Sequence, residues 1–266
     1  MRFIVSTSTL LKHLQAVSGA LSNSAVLPIL ENFLFEIKDS SLTISATDLQ
    51  TSMTTSLPVE SKEEGKVAVP SRILLDTLKT LPDQPISFNI DDSTFSIEIS
   101  AGDGKYKLSG ENGDDFPKIP VVENASSVNL PASVLTEAIT KTIFAVSNDE
   151  LRPAMTGVYC QLSPQHITFV ATDAHKLVRY RRMDGKADKA SSFILPKKAL
   201  TLLKAALPNS DVNVSVDYNA TSAFFKFENI NLVCRLIDER YPDYEAVIPA
   251  NNPNKLVIDR ALFLNT

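Results

Sequence analysis

Apolar side chains recur along this chain with two different spacings. They alternate with other residues at Phe33, Phe35 and Ile37, at Phe95, Ile97 and Ile99, at Val212, Val214 and Val216, and at Leu232, Cys234 and Leu236. A period of two puts one set of side chains on one face of a half-buried strand. Elsewhere the spacing widens to three and four. Leu10, Leu14, Val17 and Leu21 share one face of a predicted helix, with Thr7 or Ser8 as its N-cap, and Leu74, Leu78 and Leu81 form the stripe of another. Short strands, tight turns and two helices predict an α+β domain with helices packed on one face of antiparallel sheets.

The pattern runs through the chain twice. Ala46-Thr47-Asp48 returns as Ala171-Thr172-Asp173, Phe116-Pro117 as Tyr241-Pro242, and Pro28 as Pro153, each 125 positions later. The segment VPSRILLDTLKTLP (69–82) returns as LPKKALTLLKAALP (195–208), and Ile119-Pro120 is echoed by Ile248-Pro249. So long an interval does not fit a solenoid unit and reads as two similar domains in tandem. STSTLLKHL (6–14) aligns with PASVLTEAI (131–139), and KLVIDRALFLNT after the Pro/Asn-rich ANNPN (250–254) opens in the same strand-then-helix way. The expected organisation is therefore a domain at 1–120, a linker at 121–127, a domain at 128–249, a linker at 250–255 and the truncated start of a third copy at 256–266.

Composition adds limits. Apolar residues are 44% and charged residues 21% of the 266, the balance of a soluble globular protein large enough to bury a core without disulfides or metals. The N-terminus lacks the apolar block of a signal peptide, and no apolar run is long enough to span a membrane, so the cytoplasm is the expected location. Cys160 and Cys234 sit in apolar alternating runs and read as buried, reduced thiols; no metal-ligand spacing accompanies them, and no cofactor is expected.

The net charge of -5 argues against a simple basic DNA-coating protein, but the charge is uneven. Residues 1–120 carry 10 Lys/Arg and 16 Asp/Glu, whereas residues 128–249 carry 14 and 13. Arg72, Asp76 and Lys79 fall opposite the apolar stripe of their helix, as do Lys197, Thr201 and Lys204 in the second copy, with Lys198 beside them. Lys12 and Lys141 lie on the outer sides of the first helices. Such faces are commonly just solvated; recurring in each copy, they would also suit loose, sequence-blind contact with phosphates, diluted by Asp76 and Glu137.

An acid–base pair could be imagined at Asp173 and His175, but no nucleophile motif, Gly-rich phosphate loop or metal spacing supports an enzyme, and Gln50 stands at the position of His175 in the first copy. A scaffold of tandem domains would fit the acidic pI of 5.3 and would show no salt-dependent DNA association.

LPILENFLFEI, SLTISATDLQTSM, VAVPSRILLDTLKTLP, GDDFPKIP, TFVATDAHKLV, ILPKKALTLL and LIDERYPDYEAVIP together resemble the bacterial beta sliding clamp family, the beta subunits of DNA polymerase III, in register from Met1 to Thr266. The resemblance implies tandem clamp domains whose helices line the inside of a ring and whose antiparallel sheets form the outside. In that family two three-domain subunits close head to tail around duplex DNA. The ring does no covalent chemistry; it tethers the polymerase III catalytic subunit, meets a clamp loader and accepts other proteins bearing a clamp-binding motif. The resemblance favours Arg72 and Lys197, then Lys198, for DNA contact, with Lys12, Lys79, Lys141 and Lys204 on the same faces. By position it carries the partner-peptide pocket onto Met155, Thr172, Ala174, His175, Lys176, Leu177, Pro242 and Val247.

Taken alone, Leu177 and Val247 would as readily be core residues and Pro242 a turn residue. Lys176 stands where many members have arginine, Ala174 replaces a common glycine and Ala246 a frequently basic residue. The loop before LPIL, often basic in the family, reads SNSAV (22–26) with Ser24 at its centre. Lacking most of a third domain, the chain is expected to leave residues 256–266 irregular and not to close a ring.

Overall fold

The structure is a computed structural model that describes residues 1–22, 27–210 and 212–265. Ser24 and its neighbours at 23–26 lie outside the described residues. Two runs of elements follow one another in the same order. The first is β1 (Arg2–Ser6), α1 (Thr7–Ser18), β2 (Asn32–Lys38), β3 (Ser41–Thr47), β4 (Thr51–Pro58), β5 (Glu60–Ser61), β6 (Gly65–Pro70), α2 (Ser71–Thr80), β7 (Pro85–Ile90), β8 (Ser96–Ala101), β9 (Gly104–Ser109) and β10 (Glu111–Asn112). The second is β11 (Ser126–Pro131), α3 (Ala132–Thr142), β12 (Gly157–Leu162), β13 (Ile167–Thr172), β14 (Leu177–Arg182), β15 (Ser191–Pro196), α4 (Lys197–Ala206), β16 (Asn213–Tyr218), β17 (Ser222–Phe227) and β18 (Ile230–Arg235). A short helix α5 (Arg260–Leu264) follows.

All strand pairings are antiparallel, which makes the fold α+β as the pattern predicts. Three sheets have the orders β5-β1-β7-β8-β9, β10-β6-β2-β3-β4-β18-β17-β16-β11 and β14-β13-β12-β15. The nine-stranded sheet belongs to both halves. Its seam is β4 against β18, in register from Ile230↔Thr55 to Cys234↔Thr51, and Arg235 N–H extends it by donating to the Gln50 carbonyl at 2.9 Å.

The helices cover one face of this sheet. Leu10, Leu14 and Val17 of α1, Leu74 and Leu78 of α2, and Leu200 and Leu203 of α4 are buried with Phe33, Phe35, Leu232 and Cys234 in one core. Burying each such leucine stabilises the fold by about 2 kcal/mol. In the first half Phe3 stacks on Phe88 with centroids 4.6 Å apart, and Phe35 tilts against both.

Local boundaries differ in places from the apolar pattern. The N-cap of α1 is Ser6, whose hydroxyl accepts from Thr9 N–H; Thr7 is instead buried, donating to the Gln84 carbonyl at 3.0 Å. Leu21 and Leu81 lie past the ends of α1 and α2 yet pack on the core. Phe95 precedes β8 in a turn with φ 56°, held by Asp91, so only Ile97 and Ile99 of that run are in the strand. β11 begins at Ser126, inside the stretch read as linker. Residues 255–259 form no strand, because β1 and β11 each have a partner strand and this segment has none among the described residues; 251–265 are all exposed.

A candidate nucleic-acid interface and partner pocket

Four helices stand side by side in the order α2, α1, α4, α3. α1 packs on α2 and α3 on α4 within their own halves. Between the halves, α1 and α4 approach so closely that a Cβ at Gly19 would lie 2.3 Å from Leu202 Cδ2. The buried stripes hold each helix to the sheets, so the opposite faces point outward together.

Those outward faces are basic. Helices α1–α4 contain seven Lys/Arg (Lys12, Arg72, Lys79, Lys141, Lys197, Lys198, Lys204) and two Asp/Glu (Asp76, Glu137), hence 7 − 2 = +5. The whole chain is -5, so everything outside these helices sums to -10. Both helical acids are neutralised: Asp76 pairs with Lys79 at 3.7 Å, and Glu137 with Arg182 of β14 at 2.7 Å.

The seven cations are not equivalent. Among the described residues, Lys12, Arg72, Lys141 and Lys204 are exposed and make no ion pair. Lys197 is half-buried and donates to Asn148 Oδ1 at 2.9 Å. Lys198 reaches across to the first half and pairs with Asp48 at 2.5 Å, where the carboxylate is only 14% exposed. This pair joins the halves, and nothing in the sequence spacing signalled it.

Asp48 belongs to a turn that is built twice. Thr47 Oγ1 accepts from Leu49 N–H at 3.0 Å, and Thr172 Oγ1 from Ala174 N–H at 3.1 Å. Asp48 accepts from the amides of Gln50 and Thr51, and Asp173 from those of His175 and Lys176. Leu49 and Ala174 take the same left-handed conformation, with φ 73° and 74°. In the first copy this turn abuts the seam through Gln50 and Lys198. In the second it carries His175 and Lys176 into open surface, and Lys176 Nζ pairs back onto Asp173, holding that carboxyl well below the usual carboxylate range.

The residues assigned to the partner pocket fall around this second turn but not in one depression. His175 and Lys176 line a polar hollow of about 360 Å³ with Phe144, Arg152 and Lys197. Pro242 lines a separate groove of about 480 Å³ beside Tyr159, Tyr241 and Tyr244. Tyr159 and Tyr241 stack at 4.6 Å, and Tyr244 stands edge-on to both. Leu177 packs on this aromatic cluster from the start of β14, and Met155 N–H and C=O are held by Arg152 and Ser147. Thr172 is buried, donating to the Lys176 carbonyl at 2.8 Å. Ala174 is exposed, and Val247, at 67% exposure, is open to solvent rather than core. The tyrosine cluster is the part of this region that residue spacing missed, since Tyr159 lies more than eighty positions before Tyr241 and Tyr244. Arg179 adds a charged rim, donating to both oxygens of Glu245 at 2.9 and 2.7 Å.

Comparison with known proteins matches these halves to one family. Residues 1–120 match the family model described as DNA polymerase III beta subunit, N-terminal domain, and residues 129–243 match the one for its central domain. The beta sliding clamp of Staphylococcus epidermidis is 29% identical over 272 residues, covering 99% of this chain and 72% of the relative. That of Bacillus subtilis is 26% identical with the same coverage. Among solved structures, the B. subtilis DNA polymerase sliding clamp superposes with a TM-score of 0.90 at 26% identity over 94% of this chain and 68% of that one. The Bartonella birtlesii DNA polymerase III subunit beta, bound to griselimycin, superposes with a TM-score of 0.92 at 29% identity over 100% of this chain and 72% of that one. With the doubled element order and the shared sheet, these matches show that the chain belongs to the beta sliding clamp family, the beta subunits of bacterial DNA polymerase III.

Proposed function

We propose that this chain serves as a replication processivity clamp: it holds duplex DNA against its helix row without reading sequence and tethers a DNA polymerase to it. The observation that carries this reading is the segregation of charge, +5 on four aligned helices within a chain of -5. A basic surface facing phosphates attracts DNA, and an acidic remainder repels it from every other face. Side chains on a smooth helix wall meet phosphate rather than base edges, so contact is loose and permits sliding. The chain does no bond chemistry in this role and works in the cytoplasm.

Lys12, Arg72, Lys141 and Lys204, which make no ion pair among the described residues, supply most of the DNA contact; Lys197, Lys198 and Lys79 supply less, since each already has a partner. The test is duplex binding against salt concentration, for the native chain and for a variant with those four residues changed to alanine. The slope of log K against log salt should fall by about 0.9 for each phosphate contact removed. An unchanged slope would reject the helix row as the DNA surface.

The second part of the proposal places partner peptides around the 172–177 turn, reaching from the His175 hollow toward Pro242 and the tyrosine cluster. The organisation into two clamp domains, 1–120 and 128–249, with a third beginning near residue 256, belongs to the same reading, as does a head-to-tail dimer for a chain carrying all three. Polymerase III catalytic subunit, clamp loader and other motif-bearing proteins are the partners it implies. A short peptide with a glutamine and a Leu-x-aromatic end should bind saturably by calorimetry, and a His175→Ala/Pro242→Ala variant should weaken it about ten-fold, the loss of roughly 1.4 kcal/mol. Equal binding by the variant would move the pocket elsewhere.

A further inference from the structure

A groove of about 530 Å³ opens on the helix side of the seam between the halves, between α1 and α4. His13 of α1 stands in it, partly buried, with Nδ1 2.8 Å from Thr55 Oγ1 on β4 and 3.3 Å from Asn229 Nδ2 in the β17–β18 turn. Thr55 belongs to the same half as His13, and Asn229 to the other. The two contacts respond differently to protonation. Asn229 Nδ2 also lies 3.3 Å from the Ser56 carbonyl, an atom that only accepts, so this end of the amide is the donor. In the neutral tautomer with its proton on Nε2, Nδ1 is the nitrogen that accepts from it. Adding a proton to Nδ1 sets N–H against N–H and breaks the contact with Asn229. The Thr55 hydroxyl can rotate and accept, so the contact within the first half survives.

We propose that His13 is a pH-responsive latch across the seam: neutral, it ties α1 to the β17–β18 turn of the second half, and protonation in mild acid releases that tie alone.

The surroundings fix the sign. Lys12 on the same helix opposes the imidazolium, and Glu228 in the β17–β18 turn faces the same groove and favours it. β4 offers Thr55, and α4 offers Leu202, Ala205 and Ala206, none of them charged. Burial first, then Lys12, holds the imidazole below its usual value of 6.5. With the folded value depressed, the open seam binds the proton more readily than the closed one. The contribution of the latch is complete above pH 6.5 and is lost as pH falls through the lowered value. At the other end of the seam the halves are joined by the Lys198–Asp48 pair, in which His13 takes no part. Mild acid thus loosens the β17–β18 end and leaves the Asp48 end fastened, a hinge rather than a separation.

Amide exchange of the β18 residues paired to β4 reads this directly in the 266-residue chain. After correction for intrinsic exchange, opening of the seam should rise roughly three-fold or more between about pH 7.5 and 5.5, while β7 and β8 stay unchanged. His13→Gln keeps an acceptor and cannot titrate, so it should abolish the rise. No rise in the native chain, or an equal rise in His13→Gln, overturns the proposal. Should His13→Gln fold poorly, NMR titration of His13 in the Asn229→Ala variant decides: loss of the donor should move its pKa upward, and an unmoved titration overturns the latch.

Discussion

At the residue scale, the turn at 172–177 shows how much a local pattern reveals. The Thr-Asp pair was legible twice in the sequence, and both copies fold the same way because the threonine caps the amide two residues on and the aspartate those two and three residues on. The left-handed backbone at Leu49 and Ala174 was not legible, since neither residue type announces it. An alanine there carries a steric cost of about 1–2 kcal/mol that glycine escapes, offset in part by the greater freedom of glycine in the unfolded chain. Ala174→Gly should therefore stabilise the protein by about 0.5–1 kcal/mol in urea unfolding. A loss of stability would mean that the alanine methyl makes contacts that outweigh the strain. Cys160 and Cys234 were readable as buried thiols from their alternating apolar neighbours; burial pushes the Cys234 thiol up to about 12.

At the scale of elements, alternation and helical spacing located the strands and the apolar stripes because each is a property of neighbouring residues. The misplacements fall where tertiary contact overrides the local signal. Ser6 caps α1 although it also ends β1, and Phe95 leaves its strand because Asp91 gathers the turn before it. The pairing of β4 with β18 joins segments about 180 positions apart and had no signal in either run. The same seam changes the role of Lys198. Its helix position marked it for DNA, but its charge is taken up by a largely buried Asp48. Lys198→Ala should cost about 1 kcal/mol of stability and weaken DNA binding little. Arg72→Ala, on an open face, should leave stability within about 0.5 kcal/mol and weaken DNA binding more. Paired unfolding and binding measurements on the two variants check this contrast; the reverse pattern would place Lys198 on the DNA and release it from the seam.

At the scale of the whole molecule, two halves are made one body by a continuous sheet, and that sheet aligns helices drawn from both. Basic helix faces were visible in the sequence as separate stripes. Their alignment was not, because it depends on the seam. Nor was the pairing of Glu137 with Arg182, which joins residues far apart in the chain; that of Asp76 with Lys79 is a neighbour pair on one helix face. On the proposed function this aligned surface, and no other, meets DNA through its charge. Amide and side-chain NMR shifts on titration with two short duplexes of unrelated sequence test it most directly. At low salt both duplexes should perturb the same residues, centred on Lys12, Arg72, Lys141 and Lys204, and the shifts should vanish as salt is raised. Shifts that map to the outer sheet faces, differ between the two sequences, or persist in high salt would contradict the account.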